Sequence, residues 1–140
     1  MFKSVLVALD ETPLSEKVLA AALRVVEPAE GKIWALRIRP EAASLEGDAA
    51  LLDLDTIEAE TAELLRKVLV SPSYVADRRR VEAEVRTGGI VDAILGAAED
   101  HECDAIVMGT RGLGDFGGLL LGSVSHKVTS MAKVTCVLVK

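Results

Sequence analysis

Residues 105–125 read Ala105-Ile-Val-Met108-Gly109-Thr-Arg111-Gly112-Leu-Gly114-Asp-Phe-Gly117-Gly118-Leu-Leu-Leu-Gly122-Ser123-Val124-Ser125. A short apolar run comes first, then a glycine-rich interval, then a segment in which Leu120, Val124, Val128 and Met131 recur at helical spacing. The order is strand, glycine loop, helix. Glycine lets the backbone adopt positive φ and lets a ligand come close to the main chain. The first turn of the following helix offers N–H groups at the positive end of its dipole. An anion suits such a place, most simply a phosphate.

Outward from this stretch the chain repeats the same alternation. Val134-Thr-Cys-Val-Leu-Val139 follows as a last strand. On the other side, Ile90 to Glu99 predicts a helix opened by Gly88-Gly89, and Asp104 to Met108 a strand. Arg80-Val-Glu-Ala-Glu-Val-Arg86 alternates strictly, so one of its faces is wet and it belongs at or near a sheet edge. The preceding triplet Arg78-Arg79-Arg80 reads as a solvated face. A helix is expected from about Leu52 to Leu69, broken by Ser71-Pro-Ser, with a loop over 41–48 before it. Lys32 to Arg39 is a strand stopped by Pro40. Ser4-Val-Leu-Val-Ala-Leu9 is a strand buried on both faces, and Thr12-Pro13 marks a helix running to about Glu27, with the threonine as its cap.

Five strands alternating with four helices predict a doubly wound parallel α/β sheet, with right-handed crossovers. Such sheets bind ligands at the C-terminal ends of strands where the winding reverses. The strands ending at Asp10 and Met108 are the expected neighbours across that point, so Asp10 and the glycine loop share one crevice. The last strand is apolar throughout and falls at an edge, where its backbone groups need cover. A homodimer formed through strand 134–139 meets that need.

Size and charge narrow the classes. With 140 residues and 50% apolar side chains, the chain has the size and core of a single domain, 1–140. A net charge of −6 argues against a nucleic-acid partner bound through a basic surface. No apolar run approaches the roughly 20 residues that span a bilayer, and the start turns acidic too early for a signal peptide, which predicts a cytoplasmic protein without a membrane partner. Cys103 and Cys136 lack metal-type spacing and read as reduced thiols, and His101 and His126 form no ligand pair.

Three phosphate loops compete for the glycine stretch. Gly117 to Ser123 has Walker-like spacing but no lysine before its serine. Gly112-x-Gly114-x-x-Gly117 matches a dinucleotide fingerprint but sits in the last βα unit, without the acidic residue about 20 positions on. The third pattern is Gly109-x2-Gly112-x9-Gly122-Ser123. With Ile106-Val-Met-Gly-Thr-Arg-Gly112, Leu121-Gly-Ser-Val-Ser125, Val137-Leu-Val139 and Val5-Leu-Val-Ala-Leu-Asp10, it resembles the ATP-binding branch of the universal stress protein (UspA-like) family over essentially the whole chain. After the third strand that family commonly carries Gly-x-Pro, whereas this chain has Gly88-Gly89-Ile90.

The resemblance implies a Rossmann-like fold of the adenine nucleotide α-hydrolase type, a five-stranded sheet ordered 3-2-1-4-5 with helices on both faces, and dimerisation through the fifth strand. It implies ATP, with Mg2+, as ligand. Asp10 falls at the ribose and at a metal-bound phosphate. Ile38 and Met108 fall on the adenine side, with Ala8 and Leu9 lining the base of the pocket. Gly109, Gly112, Gly122, Ser123, Val124 and Ser125 fall on the phosphates, and Arg111 within reach of one. Because phosphoryl transfer needs charge neutralisation and an oriented nucleophile, and the loop has no lysine, the reading favours a nucleotide-dependent regulatory switch in stress, acting on a signalling partner, with at most slow ATP hydrolysis. A weak ATPase or nucleotidyl hydrolase of the same fold, or a domain for another adenine nucleotide such as cyclic AMP, stays open.

Overall fold

The structure is a computed structural model and describes residues 1–40, 48–70, 80–111 and 121–140, with the backbone alone for 48–52. The elements are β1 (Ser4–Leu9), α1 (Leu14–Val25), β2 (Lys32–Arg39), α2 (Asp48–Leu69), β3 (Val81–Thr87), α3 (Ile90–Asp100), β4 (Ala105–Gly109), α4 (Ser123–Met131) and β5 (Thr135–Val139). All pairings are parallel, and the sheet order is β3-β2-β1-β4-β5. This is the doubly wound arrangement expected, with β3 and β5 at the two edges.

Two apolar layers sandwich the sheet. Val5, Val7 and Leu9 of β1, Ile33 and Ala35 of β2, and Ala105 and Val107 of β4 pack against α1 and the C-terminal part of α2. The alternate residues, including Leu6, Ala8, Leu36, Ile38, Ile106 and Met108, pack against α3 and α4. Strands buried on both faces must be apolar at every position, which is why β1 and β4 read as continuous runs rather than alternations. Cys103 and Cys136 are free thiols, and burial raises the pKa of both. Among the described residues no helix is long and apolar enough to cross a membrane.

Several local expectations change. α2 begins at Asp48 rather than Leu52, and β5 at Thr135 rather than Val134. α1 ends at Val25, short of Glu27, as the chain turns extended at Val26. Arg80 is not a solvated charge: its Nη1 donates to the carbonyls of Glu27 and Gly31 at 2.6 and 3.0 Å, fastening β3 to the α1–β2 turn. Arg78, Arg79, most of the 41–48 loop and the Ser71-Pro-Ser break lie outside the described residues. Gly88 has a φ of 135°, which side-chain-bearing residues rarely adopt, so the turn from β3 into α3 requires glycine.

The β1–β4 pairing that positions the crevice is anchored at its other end by Asp104. Its two carboxylate oxygens accept the N–H groups of Lys3 and Ser4, each at 3.0 Å, and its own N–H donates to the Ser4 carbonyl at 2.9 Å. Partial burial pushes the Asp104 pKa up, but the N–H groups of Lys3, Ser4 and Asp104 itself, with the positive N-terminus, outweigh it and the net shift is downward. A depressed carboxylate pKa stabilises the fold above the unfolded value of about 3.9, and that stabilisation is lost as pH falls through the folded value. Asp104→Asn should therefore be less stable than the parent in urea at pH 7, with the gap narrowing as pH falls below the unfolded value. A gap that stays constant with pH would assign the effect to packing instead.

Candidate functional site

β4 ends at Gly109, and the chain leaves the sheet through Thr110. The Thr110 N–H donates to the Val139 carbonyl at 2.9 Å, and its carbonyl accepts the Gly122 N–H at 2.7 Å. One buried residue thus holds the departing end of the glycine loop against β5 and against its own returning end. The Ser125 hydroxyl, also buried, lies 3.2 Å from the Thr110 carbonyl oxygen and 3.0 Å from that of Gly122. It donates to backbone rather than capping α4, whose N-cap, Gly122, makes no side-chain hydrogen bond. The first helical bond of α4 runs from the His126 N–H to the Gly122 carbonyl at 2.9 Å. The N–H groups of Ser123, Val124 and Ser125 precede it and so have no intrahelical partner, as at any helix start.

The opposite wall is the turn between β1 and α1. Asp10 Oδ1 accepts the Thr12 N–H at 2.9 Å, the Thr12 hydroxyl at 2.6 Å and the Ser15 hydroxyl at 2.9 Å. Thr12 was expected to cap α1, but its hydroxyl turns back to this carboxylate and α1 has no side-chain cap. A charge-assisted bond to a carboxylate outcompetes a neutral bond to a helix N–H. Leu14, the first residue of α1, lies against Gly109: a Cβ there would sit 2.7 Å from Leu14 Cδ2 and 2.8 Å from the Arg111 carbonyl oxygen.

Between the two walls lies a small crevice. Ala8, Asp10, Met108, Gly109, Arg111, Gly122, Val124 and Ser125, all singled out from the sequence, line it together with Thr12, Leu14, Ser15, Val18 and Thr110. Asp10 and the described ends of the glycine loop therefore share one crevice, as the winding rule requires. Ser123 is exposed at the first position of α4 and does not line it. Leu9 packs in the layer under α1 and Ile38 in the layer under α3, and neither is among the residues that line the crevice. Gly112 lies outside the described residues. A second, wider groove between α1 and α2 shares Asp10, Thr12 and Ser15 with the crevice. Its floor holds Arg37, 6% exposed, with both terminal nitrogens 3.2 Å from Glu60 Oε2.

Thr110, Ser15 and the pairing of buried Arg37 with exposed Glu60 were not picked out in the sequence. The available signal was the Asp10-x-Thr12-x-x-Ser15 spacing, which returns two hydroxyls to one carboxylate within a turn and a half. Among the described residues no three His, Cys, Asp or Glu side chains gather as a metal site. Among the described residues that line the crevice, Asp10 is the only carboxylate.

Compared with known proteins, residues 1–140 match the model of the universal stress protein family. The chain belongs to that family. It is 30% identical to the universal stress protein YxiE of Bacillus subtilis over 148 residues, and 31% identical to a universal stress protein of Thermus aquaticus over 140 residues, covering all of each chain. Its fold matches that of the universal stress protein UspA from Lactobacillus plantarum, with a TM-score of 0.74 at 19% identity over 99% of this chain and 97% of that one. It also matches a universal stress protein crystallised in complex with cAMP, with a TM-score of 0.73 at 22% identity over 99% and 97%.

In this universal stress protein the crevice walls are held together at Gly109, where no side chain fits without displacing either Leu14 or the backbone at Arg111. Gly109→Ala should lower unfolding stability by about 1–3 kcal/mol, the usual cost of overpacking. The urea midpoint measures it, and an unchanged midpoint would contradict this close approach.

Proposed function

We propose that this universal stress protein binds ATP in the crevice and works in the cytoplasm as a nucleotide-dependent switch in stress signalling. The observation that carries the proposal is the start of α4. Its three N–H groups without intrahelical partners open beside the end of β4, at a glycine loop whose two ends are tied by the Thr110–Gly122 bond. An anion there meets backbone donors and the positive end of the helix dipole together. In this reading Gly109, Gly112, Gly122, Ser123, Val124 and Ser125 hold the phosphates, Arg111 adds positive charge, and Ala8 and Met108 meet the nucleoside, with Leu9 and Ile38 contributing only from the packed layers behind them.

Mg2+ fits the donor set as a guest of the nucleotide. One carboxylate, Asp10, makes a poor site alone but a sufficient one when phosphate oxygens and waters complete an octahedron. Bound there, Mg2+ neutralises phosphate charge. Asp10 is the one carboxylate among the described lining residues and the loop sequence carries no lysine, so the reading is of a nucleotide-dependent switch with at most slow turnover. The position of β5 at the sheet edge supports a homodimer: its apolar residues Cys136, Val137, Leu138 and Val139 are half-buried there. A second ligand, cyclic AMP, is favoured by the fold neighbour crystallised with it.

Mass spectrometry of the denatured purified protein should release an adenine nucleotide, and calorimetry should rank ATP against cyclic AMP. Gly122 has a φ of −68°, which any residue adopts, so Gly122→Val should keep the fold while placing a branched side chain in the crevice and weakening ATP binding at least a hundredfold, about 2.7 kcal/mol. Unchanged affinity in that variant, or sustained turnover near one per second, would overturn the binding-switch reading.

A further inference from the structure

The turn after β1 joins three things through one side chain. Ser15 is 4% exposed, and its hydroxyl meets three atoms of Asp10: the N–H at 2.8 Å, the carbonyl oxygen at 3.0 Å and the carboxylate Oδ1 at 2.9 Å. The oxygen accepts from the N–H, and its single hydrogen goes to one of the two oxygens. Thr12 contributes less, because its half-buried hydroxyl meets Oδ1 alone. Among the described residues, every hydrogen bond to the Asp10 carboxylate goes to Oδ1. Asp10 lines both the crevice and the groove between α1 and α2.

We propose that Ser15 is a positioning residue for ligand binding: from inside the first turn of α1 it fixes both the backbone and the carboxylate of Asp10, saturating Oδ1 so that Oδ2 remains for the nucleotide. The inference rests on the crevice being a nucleotide site. A carboxylate with one oxygen saturated has a set torsion and meets a ligand donor or cation without first losing rotamer freedom. Without the Ser15 hydroxyl, Asp10 keeps its charge but loses its direction. The Asp10 N–H, at the mouth of the crevice, loses its acceptor at the same time.

The test is a double-mutant cycle in nucleotide affinity, measured by calorimetry on Ser15→Ala, Asp10→Ala and the double variant, with folding verified by circular dichroism. Ser15→Ala should weaken ATP binding about tenfold, the size of one hydrogen bond to a charged group. In the Asp10→Ala background the same change should cost less than twofold, because no carboxylate remains to be aimed. Additive losses would show that Ser15 only supports the helix, and would overturn the proposal. Should Ser15→Ala not fold, Thr12→Val removes a hydroxyl from Oδ1 alone; a two- to threefold loss that vanishes with Asp10→Ala supports the proposal, and an undiminished loss overturns it. If the parent protein binds no nucleotide, the crevice reading itself fails; if it binds and the cycle is additive, only the role of Ser15 does.

Discussion

A single backbone hydrogen bond, 2.7 Å from the Gly122 N–H to the Thr110 carbonyl, decides where everything else at the crevice lies. It brings the start of α4 to within one residue of the end of β4, whatever path residues 112–120 take between them. Thr110 can serve as that post because its own N–H is fixed to Val139 of the edge strand β5. Ser125 reinforces the post from inside the helix by directing its hydroxyl to the same carbonyl. The helix dipole is thereby aimed along the sheet's C-terminal edge. A loop tied this way leaves donors of its following helix for a ligand.

The other wall depends on the sheet. Because β1 pairs with β4, the residue after β1 must come out beside Gly109, and that residue is Asp10. The pairing is held by buried apolar residues on both faces and by Asp104 at its far end. Leu14 packed on Gly109 closes the angle between the two walls. A negative carboxylate opposite a positive helix end is an arrangement for a ligand carrying both an anionic group and donors or a cation. A nucleotide with its magnesium has that composition.

Much of this was legible in the residues. The uninterrupted apolar runs of β1 and β4 announced strands buried on both faces, and the strict alternation from Arg80 to Arg86 announced the edge strand β3. What stayed illegible were contacts in which a polar side chain had two possible partners. Thr12 could cap a helix or bind a carboxylate two residues back, and the charged partner won. Arg80 looked like part of a solvated basic run, yet two carbonyls from a turn distant in sequence capture it. α2 starts early at Asp48 because Asp48-Ala-Ala-Leu is rich in good helix formers, although its apolar periodicity begins later. Leu9 faces away from the crevice because a strand turns successive residues to opposite faces, so Ala8 lines it and Leu9 does not; Ile38 shares the face of Ala8 and Met108 but sits on β2 and is not among the lining residues.

The central claim is that the first turn of α4 receives phosphate. Amide-resolved NMR during titration with ATP addresses it without altering a residue. The account predicts that the largest shifts fall on the N–H groups of Gly109, Ser123, Val124 and Ser125, saturate together, and appear at the same amides with inorganic pyrophosphate. Shifts confined to the groove between α1 and α2, with the start of α4 unmoved, would contradict it.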